Sequence, residues 1–123
     1  MTDLYPYLLN GKKGTSSLTA AVLNPYTGEE VARFCRPPAE ALNKSLEAAG
    51  QGSDKMKNLP SCERSAILGA ASELIHKQKQ FLSRILAEEA GKPLKHAEKE
   101  AERAANTLAV SARQALNPAG EYI

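Results

Sequence analysis

Leu18-Thr19-Ala20-Ala21-Val22-Leu23-Asn24-Pro25-Tyr26-Thr27-Gly28-Glu29-Glu30-Val31-Ala32-Arg33-Phe34-Cys35-Arg36 holds a turn between two apolar runs. Leu18 to Leu23 reads as one strand and Glu30 to Arg36 as the next. Pro25 fixes φ early in the turn, and Gly28 tolerates a positive φ at its exit. Period-two alternation puts Ala32 and Phe34 on one face of the second strand and Val31, Arg33 and Cys35 on the other. A β-hairpin with one mixed face is the expectation. Upstream, Tyr5-Pro6-Tyr7-Leu8-Leu9 is a short apolar run closing on Asn10-Gly11, a strong turn dipeptide. Lys12-Lys13 reads as a solvated pair in that turn, and Gly14 to Ser17 as a polar loop.

From Pro37-Pro38 onward the apolar period becomes helical. Leu42, Leu46 and Ala49 sit at i, i+4 and i+7, which predicts a short amphipathic helix finishing at Gly50. Gln51 to Asn58 reads as a loop. Pro60-Ser61 then opens a helix, with Ser61 as N-cap and Glu63 placed for the dipole. Ile67, Leu68, Ala71, Leu74, Ile75, Phe81, Leu82, Ile85 and Leu86 keep one stripe apolar, interrupted by His76-Lys77-Gln78-Lys79-Gln80. One long helix and two helices meeting at a kink fit this pattern equally. Gly91 suits the helix C′ position and Pro93 forbids continuation. A last helix is expected from Leu94 to Leu116, with Ala97, Ala101, Ala104, Leu108, Ala112 and Ala115 inward. Asn117 to Gly120 ends it, and residues 117–123 read as the start of an unfinished strand.

With 123 residues, one domain with a real core is affordable, and 42% hydrophobic against 24% charged residues argues against wholesale disorder. Trp is absent and aromatics are only 5%, so the core must rely on small side chains that each bury little area. Such a core leans on a partner surface. The net charge of +2 is spread evenly: residues 1–60 carry seven Lys/Arg against six Asp/Glu, and residues 61–123 nine against eight. Nucleic-acid binding needs a basic stripe, and none is present. No apolar run approaches the ~20 residues of a membrane span, and no basic-then-apolar leader opens the chain. Cys35 and Cys62 form no spaced motif and read as free thiols, which points to the cytoplasm.

Five motifs in order, Leu8-Leu9-Asn10-Gly11, Asn24 to Glu29, the Ala-rich helix Leu42 to Ala49, Glu63-Arg64 before Ile67-Leu68, and Glu89-Ala90-Gly91-Lys92-Pro93-Leu94, resemble the opening segment of the aldehyde dehydrogenase superfamily. Glu100, seven residues past Pro93, fits the same pattern. The resemblance runs from about Leu8 to Tyr122. One departure is the lack of the aromatic residue that members usually carry near Met56 to Leu59. The resemblance implies an α+β fragment: residues 1–36 a β-hairpin region and residues 37–116 three or four antiparallel α-helices, part of the cofactor domain of an α/β aldehyde dehydrogenase. For the parent enzyme it implies NAD or NADP and oxidation of an aldehyde to a carboxylic acid. A cysteine attacks the carbonyl to give a thiohemiacetal, hydride passes to the nicotinamide, and a glutamate activates water. Those residues lie downstream in the family and have no counterpart here. The fragment is therefore expected to be a scaffold with no catalytic, cofactor-binding or metal residues. Its implied partners are the remainder of the dehydrogenase and, in a homo-oligomer, further copies, with neither nucleic acid nor membrane.

The residues themselves support the same restraint. Cys62 lies near a helix N-terminus, where a dipole lowers a thiol pKa, but no histidine base neighbours it. Cys35 reads as strand packing. Ala90 to Pro93 fails as a phosphate loop, because Leu86 and Pro93 stand where Gly and Ser/Thr are required. His76 and His96 fall on different helices without ligand spacing. Glu98, Glu100 and Glu102 step by about 200° and cannot face one way; a solvated face salt-bridged to Lys95, Lys99 and Arg103 is the simpler account. In some relatives a carboxylate at the place of Glu100 helps hold a monovalent cation, which the resemblance extends to Glu100. The rival to the dehydrogenase reading is an independent helical interaction module built on the Ile67 to Leu86 stripe.

Overall fold

The computed structural model describes residues 4–117. The unfinished strand expected at the C-terminus lies, from residue 118 on, outside them. Among the described residues, the strands precede residue 36 and the helices follow residue 38. The chain divides into two compact units, one of residues 1–57 and 88–91, the other of residues 58–87 and 92–123.

The first unit is built from strands and one helix. Pro6 splits the opening apolar run, since it donates no ladder hydrogen bond. Strand β1 (Leu4–Tyr5) joins one sheet and β2 (Tyr7–Leu9) another. β2 pairs antiparallel with β3 (Lys12–Gly14) around Asn10 (φ 50°) and Gly11 (φ 73°). Two consecutive positive φ values make the tight turn whose twist suits a hairpin. Lys12, Lys13 and Gly14 therefore lie in a strand and not in the expected turn and loop. A Cβ at Gly14 would collide with the Tyr7 ring, so the aromatic covers the bare glycine of the facing strand.

The hairpin expected around Asn24 forms as β4 (Thr19–Leu23) against β5 (Glu30–Cys35), with β1 parallel on the far side of β5. A bulge near Val22 and Leu23 shifts the register, so Val22 faces Ala32 while Leu23 faces Glu30. Cys35 ends β5 at 1% exposure, on the face shared with Val31 and Arg33. Arg33 grips Glu30 with two hydrogen bonds (2.9 and 2.5 Å) and donates a third to Thr19 Oγ1 at 3.3 Å. Ser16 Oγ donates to the Arg36 carbonyl at 2.7 Å and fastens the strand ends.

Helix α1 spans Ala39–Asn58. It absorbs Gln51 to Asn58, which the sequence assigns to a loop, and passes through Gly50 and Gly52 without ending. Neither glycine has a positive φ, so neither acts as a C′ stop. Lys55 and Lys57 favour the last turn electrostatically, and the effective stop is Pro60, which excludes helical geometry from the residue before it.

The second unit is helical. α2 (Ser61–Lys77) has Pro60, and not Ser61, at its N-cap, with no side-chain cap. Pro60 already holds the extended ψ of 149° that an N-cap adopts, which moves Ser61 into the first turn. The Pro60 carbonyl accepts from the Glu63 and Arg64 amides at 3.1 Å each. The polar run after Ile75 produces the kink: α2 ends, Gln78 takes φ −102° and ψ 11°, and α3 runs Lys79–Ala90. α4 spans Leu94–Gln114, two residues short of the expected Leu116.

The core of this unit lies between α2 and α4. Ser72 donates to the Ala105 carbonyl at 2.8 Å and ties α2 to α4. The seam on α4 is Ala97, Ala101, Ala105 and Ala112, all buried. Ala105 replaces the expected Ala104, which is exposed, because successive four-residue steps keep one contact line along the helix. Small residues let the backbones approach until a serine hydroxyl reaches a main-chain carbonyl. Ser83, also buried, donates to the Lys79 carbonyl at 2.6 Å. Large apolar residues of the expected stripe, Ile67, Leu74 and Phe81, remain exposed.

This seam gives a sharp test. Ala105→Leu overpacks a site of 0% exposure and should cost about 1–3 kcal/mol in urea unfolding. Ala104→Leu should stay within about 0.5 kcal/mol of the parent.

Candidate functional site

The two runs that carry the resemblance meet in the first unit. In the turn, Asn24 Oδ1 accepts from the Tyr26 and Thr27 amides at 2.9 and 3.2 Å. Its main chain closes the loop, with the Gly28 amide donating to the Asn24 carbonyl and the Asn24 amide donating to the Glu29 carbonyl, both at 2.8 Å. Gly28 leaves the turn at φ 75°. Four hydrogen bonds thus set where Pro25 stands. Its ring lies against Gly91, where a Cβ would come within 2.8 Å of Pro25 Cγ. Gly91 is fixed twice over, by a φ of 61° that ends α3 and by a neighbour that leaves no room for a side chain. Sequence spacing gives no hint of this contact across 66 positions.

Beyond Gly91, in the second unit, Pro93 takes φ −57° and ψ 134° as N-cap of α4. Its carbonyl accepts from the His96 and Ala97 amides at 2.8 and 3.2 Å. Lys92 Nζ reaches Glu100 Oε2 at 2.7 Å. That hydrogen bond, then the ammonium's charge, holds the Glu100 carboxyl below the ordinary carboxylate range, and Arg103 adds to the effect. Glu102 is lowered in the same way by Lys79, at 3.0 Å, with smaller contributions from His76 and Lys99. The glutamate alternation is thus salt-bridged, but chiefly to Lys92 and Lys79 and not to Lys95, Lys99 and Arg103. Lys92 was the partner that sequence reasoning missed; a contact eight residues away across a helix start has no periodic signal.

Lys92, Pro93, His96, Lys99, Glu100 and Arg103 line a surface hollow of about 520 Å³. Its one carboxylate, Glu100, is engaged by the Lys92 ammonium. Among the described residues, no group of three His, Cys, Asp or Glu side chains could hold a metal ion. Cys62 is exposed in the first turn of α2 and Cys35 is buried in β5. His76 and His96 lie on separate helices, α2 and α4. The Glu63-Arg64 pair has a structural use: Arg64 donates to the Leu59 carbonyl at 2.7 Å and closes the entry to α2.

A turn and a helix break, joined at a bare glycine, form the geometry of this chain. The model of the aldehyde dehydrogenase family matches residues 12–123. The chain belongs to this family. An aspartate-semialdehyde dehydrogenase of Pseudomonas canavaninivorans is 37% identical over 102 residues, 83% of this chain and 22% of that protein. A 3-sulfolactaldehyde dehydrogenase of Priestia aryabhattai is 34% identical over 97% of this chain and 24% of that protein. The crystal structure of lactaldehyde dehydrogenase from Escherichia coli superimposes with a TM-score of 0.92 at 26% identity, over 100% of this chain and 26% of that one. The short strands followed by four helices match the N-terminal part of the aldehyde dehydrogenase fold, and the chain spans about a quarter of the length of these relatives. No helix of the described residues is long and apolar enough to cross a membrane.

Gly28→Ala meets nothing within 4 Å and should cost only the left-handed backbone, about 1–2 kcal/mol. Gly91→Ala should cost more, and Pro25→Ala should recover the excess as a coupling of about 1 kcal/mol or more in a double-mutant cycle by chemical denaturation. Separately, the depressed Glu100 pKa means the pair stabilises the fold above the ordinary carboxylate pKa and loses that contribution as pH falls through the depressed value. Lys92→Met should return the Glu100 midpoint upward toward the ordinary range in a carboxyl NMR titration. An unmoved midpoint contradicts the pair.

Proposed function

We propose that this chain is scaffold for an NAD(P)-dependent aldehyde dehydrogenase. The enzyme oxidises an aldehyde to a carboxylic acid through a cysteine thiohemiacetal, and this segment supplies none of the reacting groups. The observation that carries the reading is the seating of Pro25 on Gly91, which turns the two family runs into one structural joint. Each of the two runs is spent on backbone geometry: Asn24 and Gly28 shape a turn, while Gly91 and Pro93 stop one helix and start the next. Neither presents a nucleophile, a base or a phosphate cradle.

The chemistry assigned to the whole enzyme follows from the family. A thiolate attacks the aldehyde carbon, and the hemiacetal carbon gives its hydride to the nicotinamide ring. Water then cleaves the resulting thioester and releases the acid. Cys62 is a free thiol exposed in the first turn of α2, and the family's nucleophile lies downstream of this segment. The partners are the rest of the dehydrogenase subunit and, through it, other subunits of a homo-oligomer. Free thiols at Cys35 and Cys62 suit a reducing cytoplasm.

The test uses a chimera and the isolated chain together. This chain, substituted for the matching segment of the Priestia aryabhattai 3-sulfolactaldehyde dehydrogenase, should retain aldehyde-dependent NAD(P)H formation. The purified 123-residue chain should give none with a panel of aldehydes. Turnover by the isolated chain, or a folded chimera without activity, overturns the proposal.

A further inference from the structure

The two residues that turn β2 into β3 carry a reactivity that the hairpin does not need. Asn10 is the only asparagine in the chain followed by glycine. Asn43, Asn58 and Asn106 precede Lys, Leu and Thr, whereas Asn24 and Asn117 precede proline. Closure of an asparagine to a succinimide depends on that next residue, whose main-chain nitrogen is the nucleophile. A side chain beside the nitrogen crowds the attack, and a proline nitrogen has no proton to lose. Asn43 and Asn106 also lie within α1 and α4, where the following amide belongs to the helix ladder. Asn10 and Gly11 are both exposed, and nothing stands within 4 Å of the position a Gly11 Cβ would take. Among the described residues, no hydrogen bond engages the Asn10 carboxamide, while Asn24 Oδ1 holds two amides.

The closed turn holds this reactivity back. Positive φ at both Asn10 (50°) and Gly11 (73°), with Leu9 facing Lys12, makes a two-residue type I′ loop. Such a turn sets ψ of its first central residue near about +30°. That value points the Gly11 nitrogen away from the Asn10 side chain, whereas ring closure needs it swung round toward Cβ. The restraint is slight. β2 and β3 have three residues each and pair only with one another, and a lone two-stranded hairpin is marginal in water. Local opening therefore reaches the reactive geometry without unfolding the helices.

We infer that Asn10-Gly11 is a self-modification site of this chain, deamidating through a succinimide at a rate gated by opening of the β2–β3 hairpin. The Gly11 nitrogen gives its proton to water and attacks Asn10 Cγ. The Cγ–Nδ2 bond breaks, and Nδ2 leaves as ammonia. Water then opens the ring at Cγ to give aspartate, or at the Asn10 main-chain carbonyl carbon to give isoaspartate. Either product adds one negative charge and takes the chain from +2 to +1. Isoaspartate also inserts a methylene into the main chain of the turn. Turn length sets hairpin register, so the Tyr7 to Gly14 pairing, and the ring that covers Gly14, are lost with it.

Incubation of the 123-residue chain in mildly alkaline buffer, and in parallel in guanidinium chloride, tests this by peptide mass mapping that resolves aspartate from isoaspartate. In guanidinium, Asn10 should convert before every other asparagine, and Gly11→Ala should slow it at least about tenfold by adding a Cβ beside the nucleophile. In buffer, the wild-type Asn10 should convert at least about fivefold more slowly than in guanidinium. Tyr7→Ala, which uncovers Gly14, should speed conversion in buffer with helical dichroism unchanged and leave the guanidinium rate alone. Another asparagine converting first in guanidinium overturns the site. Equal wild-type rates in buffer and guanidinium, or a Tyr7→Ala hairpin no faster than wild type in buffer, overturn the gate.

Discussion

The Pro25 ring on Gly91 is the contact on which the first unit depends. A turn of five residues and the final turn of a helix, far apart in sequence, meet at a position with no side chain. The turn contributes rigidity: Asn24 bonds from its side chain and its main chain, so the proline cannot drift. The helix end contributes space, because its left-handed residue is a glycine for conformational reasons and is therefore also bare. One residue type satisfies a dihedral requirement and a packing requirement together. That coincidence explains why neither run tolerates reading in isolation.

Much of the fold was legible because local chemistry dictated it. The alternation in β5, the turn residues from Asn24 to Gly28 and the polar interruption after Ile75 each specify a backbone state within a few residues. Legibility failed where a residue's ordinary preference was overruled. Gly50 looked like a helix stop, yet a glycine stops a helix only when it turns left-handed, and α1 continued to the proline that blocks it. Ser61 looked like a cap, but Pro60 already had the required ψ. Pro6 divided a run that composition alone joins. At the candidate site the carboxylate Glu100 was visible, whereas its cation Lys92 was not, because that pairing crosses a helix boundary.

The distribution of large and small side chains carries the functional meaning. The best-packed seam, α2 against α4, is lined with alanines and closed by a serine hydroxyl on a main-chain carbonyl. Leucine, isoleucine and phenylalanine side chains on α1, α2 and α3 stay exposed. Close approach fixes geometry, while area removed from water supplies most of the driving force. This segment has the first in its own seams and leaves large apolar side chains uncovered. That division suits a scaffold, and it agrees with a chain that spans about a quarter of its aldehyde dehydrogenase relatives.

The central claim is that the two family runs form one physical joint, and nuclear Overhauser contacts measure that joint directly. In the folded chain, the Gly91 α-protons should show strong cross-peaks to the γ- and δ-protons of the Pro25 ring. A folded chain with the α4 seam intact and no such cross-peaks contradicts the account.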